Sequence, residues 1–199
     1  WMNDQDTMPA FLTVIIPNDH GAGDRPEAGY PFRESYMADN DLAVGRIVEY
    51  LSHTPYWENM LIVITEDDAQ NGVDHVDAHR SVLMLISPWV KRDYVSHGHY
   101  SFGSIFKTFW NILGMPYLNQ YDAGATDLAD FFTDEPDYTP YNAVPVDFRI
   151  FEPQKALDPF DENFDWKALE ESPVMDNKAD MIEESKERDE YRLENRESK

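Results

Sequence analysis

Leu61-Ile62-Val63-Ile64-Thr65-Glu66-Asp67-Asp68 is the stretch on which the reading of the fold turns. An unbroken apolar and β-branched run reads as a buried strand, and three acidic residues follow it without a gap. A strand apolar on both faces belongs to a sheet covered on both sides. Polar residues just past such strand ends sit where open α/β sheets carry their sites.

The elements on either side keep the same rhythm. Upstream, Asp39 to Leu51 has an Asp/Asn start and apolar residues at Val44, Ile47, Val48 and Leu51, the spacing of a helix with one apolar face. Further upstream, Phe11 to Ile16 (FLTVII) reads as a buried parallel strand that opens onto Pro17-Asn18-Asp19-His20-Gly21. Downstream, Val82 to Ile86 is a third strand, ended by Ser87-Pro88. Ser101 to Leu113 predicts a second helix with Phe102, Ile105, Phe106, Phe109, Ile112 and Leu113 inward and Gly114 as its stop. From about Asp134 the composition turns to Pro, Tyr and Asp, and from Lys178 to Lys199 charges alternate. The expected organisation is a catalytic-type domain over 1–141, a wrapping extension over 142–177 and a charged helical or disordered tail over 178–199.

Composition narrows the chemistry. The 199 residues carry 39 acidic against 16 basic side chains, a formal charge of −23, which speaks against nucleic acid or an anionic membrane surface as a partner. With no cysteine, thiolate zinc sites, disulfide frameworks and cysteine nucleophiles are excluded. The apolar runs are far below membrane-spanning length. The chain opens on Trp1 and reaches a strand-type run within about a dozen residues, so an upstream segment cut away or encoded elsewhere is expected. An acidic protein that handles an anionic substrate needs local cations, and bound metal ions supply them.

Three strand-flanking loops hold the candidate ligands: Asn18-Asp19-His20, Glu66-Asp67-Asp68 and Asp74 to Arg80. Carboxylates and imidazoles suit Zn²⁺, Mn²⁺ or Fe, and two ions together can hold an attacking oxygen and neutralise phosphate charge. Each signal alone has a plainer reading. Asp-Asp after a strand is often a turn or a helix cap, and His75 and His79, four apart, would share a face only if helical, whereas Gly72 and the Asp-rich context favour a loop. His53, beside Thr54-Pro55 at a helix end, reads as structural or solvated. The metal reading rests on all three loops lying at strand ends.

Met37 to Val48, then Tyr56-Trp57-Glu58-Asn59, then Leu61 to Asp68 resemble the shared signature of the alkaline phosphatase superfamily: a helix before a strand that ends in paired metal ligands. Leu12 to His20, Glu66 to Gly72, Asp74 to Arg80 and Asn119-Gln120-Tyr121-Asp122 are similar to its bacterial phosphoesterase branch of acid phosphatases and phospholipases C. The resemblance covers Phe11 to Tyr141 and implies a three-layer α/β/α sandwich with a mostly parallel central sheet. It further implies a metal-dependent phosphoric ester hydrolase, with divalent ions, zinc or manganese, held by Asp19, His20, Asp67, Asp68 and His79. His75 and Arg80 would orient ligands or grip a phosphate oxygen, and His97 or His99 would line the pocket or protonate the leaving group, a structural role for that pair being equally open.

Two departures qualify the match. Ile16 stands four residues before His20 where the family has Asp, so either Asp19 substitutes or a single metal binds. The family's nucleophile and first metal-binding acid lie in an amino-terminal half, and the ten residues before Phe11 cannot hold that βα unit. Ser35, Thr65, Ser81 and Ser101 do not sit in the nucleophile's context, so the chain is expected to be a half-site completed by a missing amino-terminal half. Some relatives of this branch carry the domain behind a β-propeller, and the family's usual place is the periplasm or the outside of a bacterium. The alternatives left open are a non-catalytic divalent-metal-binding or degenerate interaction module, and an enzyme for sulfate or phosphonate esters.

Overall fold

The computed structural model describes residues 8–20, 24–67 and 80–156. The chain divides into two compact units, one made of Trp1–Ile15 and Val44–Val144, the other of Ile16–Ala43 and Pro145–Lys199. Helix α1, Glu34–Ser52, contributes residues to both.

In the second unit α1 starts five residues before the predicted position, so Asp39 lies inside the helix and not at its cap. The cause is a long-range staple. The buried Ser35 hydroxyl accepts from the Phe32 N–H at 3.1 Å and donates to the Ile150 carbonyl, fixing the first turn before any capping residue is needed. Tyr36, one residue on, stacks on Tyr30 at a centroid distance of 4.1 Å, and Phe151 tilts onto Tyr30 at 5.5 Å. With Leu42 these rings form the core of the unit, flanked by Ala28, Ala38, Val146 and Ala156 of the short helix α4, Pro153–Ala156. Aromatic rings give this small core most of its buried apolar surface.

Gly29 closes the preceding turn at φ +89°, a left-handed backbone, and its carbonyl accepts the Glu152 N–H at 3.0 Å. A Cβ here would stand 2.6 Å from the Glu152 carbonyl oxygen. Gly29→Ala is therefore expected to destabilise by about 1–3 kcal/mol from backbone strain alone, before the clash is added; a urea midpoint equal to the parent's would contradict this.

The first unit contains two of the three predicted strands. Strand β1, Ile62–Thr65, and strand β2, Leu83–Ile86, form a two-stranded sheet with Ile62 opposite Ile86 and Thr65 opposite Leu83. The pairing is antiparallel, whereas the sheet expected from the sequence was mostly parallel. Continuous apolarity carries no strand direction, and both strands are only partly buried, with Met84 48% exposed. Phe11 to Ile16, read as a third strand, is not in a strand among the described residues: Ile15 is 82% exposed, and Phe11 sets its ring edge-on against Phe109 at 5.3 Å.

Helix α2, Phe102–Leu113, matches its predicted bounds to within a residue, but not its predicted inward face: Ile105 is buried, whereas Phe102, Phe106 and Ile112 are exposed and Gly103, Ser104 and Thr108 are buried instead. Ser104 Oγ accepts the Ser101 N–H at 3.1 Å at its start, and Gly114 ends it in a left-handed conformation that accepts no side chain cheaply. Helix α3, Gln120–Gly124, is tied to α2 through Asp122. That buried carboxylate accepts the Trp110 indole N–H at 2.9 Å and the backbone N–H groups of Leu118 at 2.8 Å, Asn119 at 2.9 Å and Ala123 at 3.0 Å. Burial raises its pKa, and the donors from Leu118, Asn119, Trp110 and Ala123 together overcome burial and hold it below the ordinary carboxylate value.

The sign of the resulting pH dependence follows. A carboxyl whose folded pKa is depressed contributes fully above its unfolded value, about 3.9, and loses that contribution as pH falls through the folded value. Asp122→Asn turns one acceptor oxygen into a donor facing N–H groups. It is expected to lower the thermal midpoint at pH 7 by several degrees and to flatten the loss of stability below about pH 4 relative to the parent. Parallel stability profiles for the two proteins would contradict this.

Among the described residues no helix is long and apolar enough to cross a membrane.

Candidate functional site

The second and third candidate loops are one connection. Because Thr65 pairs with Leu83, the end of β1 and the start of β2 lie side by side, and everything from Glu66 to Val82 leaves and returns at that end. The Ser81 hydroxyl donates to the Glu66 carbonyl at 3.2 Å, closing the base of the connection. Asp67 is exposed just past β1, and Arg80 is exposed just before Ser81. Asp68, His75 and His79 lie outside the described residues, although Asp68 and His79 are the sequence neighbours of Asp67 and Arg80.

The first loop belongs to the other unit. Pro17–His20 is a single turn of 3-10 helix that includes the backbone of Asp19 and His20, whose side chains lie outside the described ones. Asn18, the residue before them, is bonded on its side chain. Its amide donates to Asp39 Oδ2 and to the Tyr30 hydroxyl at 3.2 Å, and the Tyr30 hydroxyl donates to the same Asp39 oxygen at 3.0 Å. Burial, then the adjacent Asp39 carboxylate, push the Tyr30 hydroxyl well above its ordinary pKa, so it stays protonated and available as a donor at neutral pH.

His97 and His99 are exposed in the loop that leads to α2. Ser96 braces that loop: its hydroxyl donates to Asp130 Oδ2 at 2.9 Å and meets the Tyr100 hydroxyl at 3.0 Å, while Tyr94 donates to the same carboxylate oxygen at 2.5 Å. The bonds from Tyr94 and then Ser96 hold the Asp130 pKa below the usual carboxylate range.

In kind, the proposed ligands fit a divalent ion: Asp19, Asp67 and Asp68 offer hard oxygens, His20 and His79 borderline nitrogens. Of the five, Asp67 is the one whose side chain is described, and among the described residues no three His, Asp or Glu side chains gather to hold a metal.

The hydroxyls that lacked a nucleophile's sequence context have structural work. Ser35 is buried and bonded to Ile150, Thr65 Oγ1 donates to the Glu66 carbonyl at 3.2 Å, Ser81 closes the β1–β2 connection, and Ser101 stands at the start of α2. Asn119 to Asp122, quoted above for its resemblance to phosphoesterases, is likewise a capping box that joins α2 to α3. Sequence reasoning overlooked Tyr30 and Asp39. The available signal was positional: Asp39 lies three residues from Tyr36 and from Leu42, on the face that both bury, and a charge there calls for a partner.

Comparison with protein-family models, with curated proteins and with solved structures finds no match to this chain.

Proposed function

We propose that this chain supplies the second metal-ligand cluster of a metal-dependent phosphoric ester hydrolase, within an alkaline-phosphatase-like α/β/α sandwich completed by another half of the domain. The observation that carries the reading is the closed β1–β2 connection, whose base is held by the Thr65–Leu83 pairing and the Ser81–Glu66 bond. Four of the residues chosen from sequence for this chemistry beyond Asp67, namely Asp68, His75, His79 and Arg80, fall within that single connection.

In this proposal Asp67, Asp68 and His79 are ligands for zinc or manganese in the first unit, and Asp19 and His20 are ligands for such an ion in the second. The ion, when bound, supplies Lewis-acid stabilisation of charge on a phosphoryl oxygen. Arg80 offers its planar fork to a second phosphate oxygen, His75 orients a ligand, and His97 hands a proton to the leaving alkoxide. The hydroxyl that attacks phosphorus comes from the other half, in keeping with the structural engagement of Ser35, Thr65 and Ser81. That same engagement also favours a second reading, a non-catalytic module that binds a divalent ion. A periplasmic or secreted location, and a β-propeller upstream, go with the first reading.

Phosphate capture tests the proposal without requiring turnover. Calorimetric titration of the manganese-loaded chain with inorganic phosphate is expected to give saturable binding that chelation abolishes. Binding of equal strength after chelation, or no binding in either state, would contradict a metal-centred phosphoester site; metal uptake without phosphate binding would support the module.

A further inference from the structure

We propose that the outer face of α2, together with the Phe11 segment packed on it, is a self-association surface whose occupant is the same face of a second copy, the two α2 helices lying antiparallel across a twofold axis. The inference concerns the first unit alone and is independent of the metal site.

Helix α2 presents its large apolar residues outward. Its buried side is built from Gly103, Ser104, Ile105 and Thr108, while Phe102 and Phe106 are exposed and Phe109 and Leu113 half-buried. Those last four follow one another at spacings of four, three and four residues, the seam by which helices pack together. The rings already form a continuous surface: Phe102 tilts onto Phe106 at 6.3 Å, Phe106 stacks on Trp110 at 6.0 Å, and Phe11 meets Phe109 edge-on at 5.3 Å. The helix cannot turn to bury them. A Cβ at Gly103 would stand 2.9 Å from the Tyr121 carbonyl oxygen, so only the small face fits against that neighbour.

Charge selects the occupant. From Tyr94 to Tyr121 the chain has no Asp or Glu, the longest such interval in a sequence with 39 acidic residues among 199, and Thr7 to Asn18 has none either. These two stretches meet where Phe11 packs on Phe109. The one charge of α2, on Lys107, is drawn to the Ala123 and Ala125 carbonyls at 2.9 and 2.8 Å, away from the aromatic seam. A twofold contact presents the same patch from both sides, so any net charge on it is repelled and an uncharged patch is the one that can meet itself. In a chain of charge −23 this face meets that condition, whereas a cationic partner would be steered to the acidic remainder of the surface. The area agrees. Phe11, Leu12, Phe102 and Phe106 are each between 36% and 48% exposed. With their half-buried neighbours they offer on the order of 500 Å² per copy, and a pair buries about 1,000 Å², the size of a reversible dimer and not of an obligate one.

Sedimentation equilibrium of the full chain, from micromolar to submillimolar protein, reads the association. A reversible monomer–dimer equilibrium is expected, tighter at high salt than at low because screening relieves the repulsion between two copies of charge −23. Phe106→Glu sets two carboxylates near the twofold axis and is expected to raise the dissociation constant about 100-fold or more, with the thermal midpoint near the parent's because Phe106 is exposed. Met84→Glu, at an exposed position of β2, is expected to leave the dimer intact. A parent that stays monomeric at every concentration and salt would overturn the inference, as would association of equal strength in Phe106→Glu. A dimer lost in Met84→Glu and kept in Phe106→Glu would overturn it in favour of a contact through the sheet. A monomeric parent that co-sediments with phosphatidylcholine vesicles, and no longer does so as Phe106→Glu, would overturn it in favour of lipid. Should Phe106→Glu fail to fold, Phe102→Glu, in the first turn of α2 where an acid suits the helix dipole, decides.

Discussion

Phe151→Ala is expected to destabilise the protein by about 3–5 kcal/mol, the cost of removing a large ring from a packed site that cannot collapse around the cavity. Phe151 is fully buried, its ring lies against Tyr30, and the residues on either side of it are tied down: Ile150 O accepts from Ser35, and Glu152 N–H donates to Gly29. Those two backbone ties hold the cavity walls in place, which is why the cost should lie at the upper part of the usual range for core truncation. Loss of the ring also frees Tyr30, so the disturbance should reach the Asn18–Asp39 bond. Urea unfolding followed by circular dichroism measures the effect, and Phe151→Leu, which deletes fewer atoms, should fall between Phe151→Ala and the parent. A Phe151→Ala midpoint within error of the parent's would show that this ring does not form part of the core.

How much of this was legible in the sequence varied with the origin of each constraint. The bounds of helix α2 were readable because its Ser101 start and its Gly114 stop are local, whereas its buried face was not, Phe102, Phe106 and Ile112 being exposed. The start of α1 was not, since it is set by Ser35 reaching a carbonyl 115 residues away and by Tyr36 stacking on a ring from another segment. Strands β1 and β2 were found within a residue by their apolarity, yet their antiparallel direction was not, because an unbroken apolar run is the usual pattern of a parallel strand covered on both faces, whereas these two are only partly buried. Phe11 to Ile16 has the composition of a strand and lacks a paired neighbour among the described residues. Composition states what a segment would bury and leaves open what is there to cover it.

The site divides in the same way. Its ligand types were chosen from residues at strand ends and from a resemblance, and the Thr65–Leu83 pairing adds that the connection carrying Asp67 and Arg80 leaves and returns at one end of the sheet. Asn119 to Asp122 teaches the opposite lesson: a motif that matched by resemblance is here a capping box and an anchor for Trp110. The Asn18–Tyr30–Asp39 triangle escaped sequence reading because its three members are separated by up to 21 residues and share no periodicity.

The second large effect concerns the metal. Carboxylates Asp67 and Asp68 give two of the three proposed acidic oxygen donors from adjacent positions, and removing both leaves a carboxylate-poor set, with Asp19 as its one acid, that cannot neutralise a divalent ion. The Asp67→Ala, Asp68→Ala double variant should therefore lose bound metal almost completely, with little change in fold, since Asp67 is exposed past the end of β1. Elemental analysis of the purified parent and of this variant, each soaked with zinc or manganese and freed of excess ion, is the most direct test. Bound metal in the parent that disappears in the variant is the result expected; a parent without metal, or a variant that retains it in full, would contradict the assignment of this chain as a metal-ligand half-site.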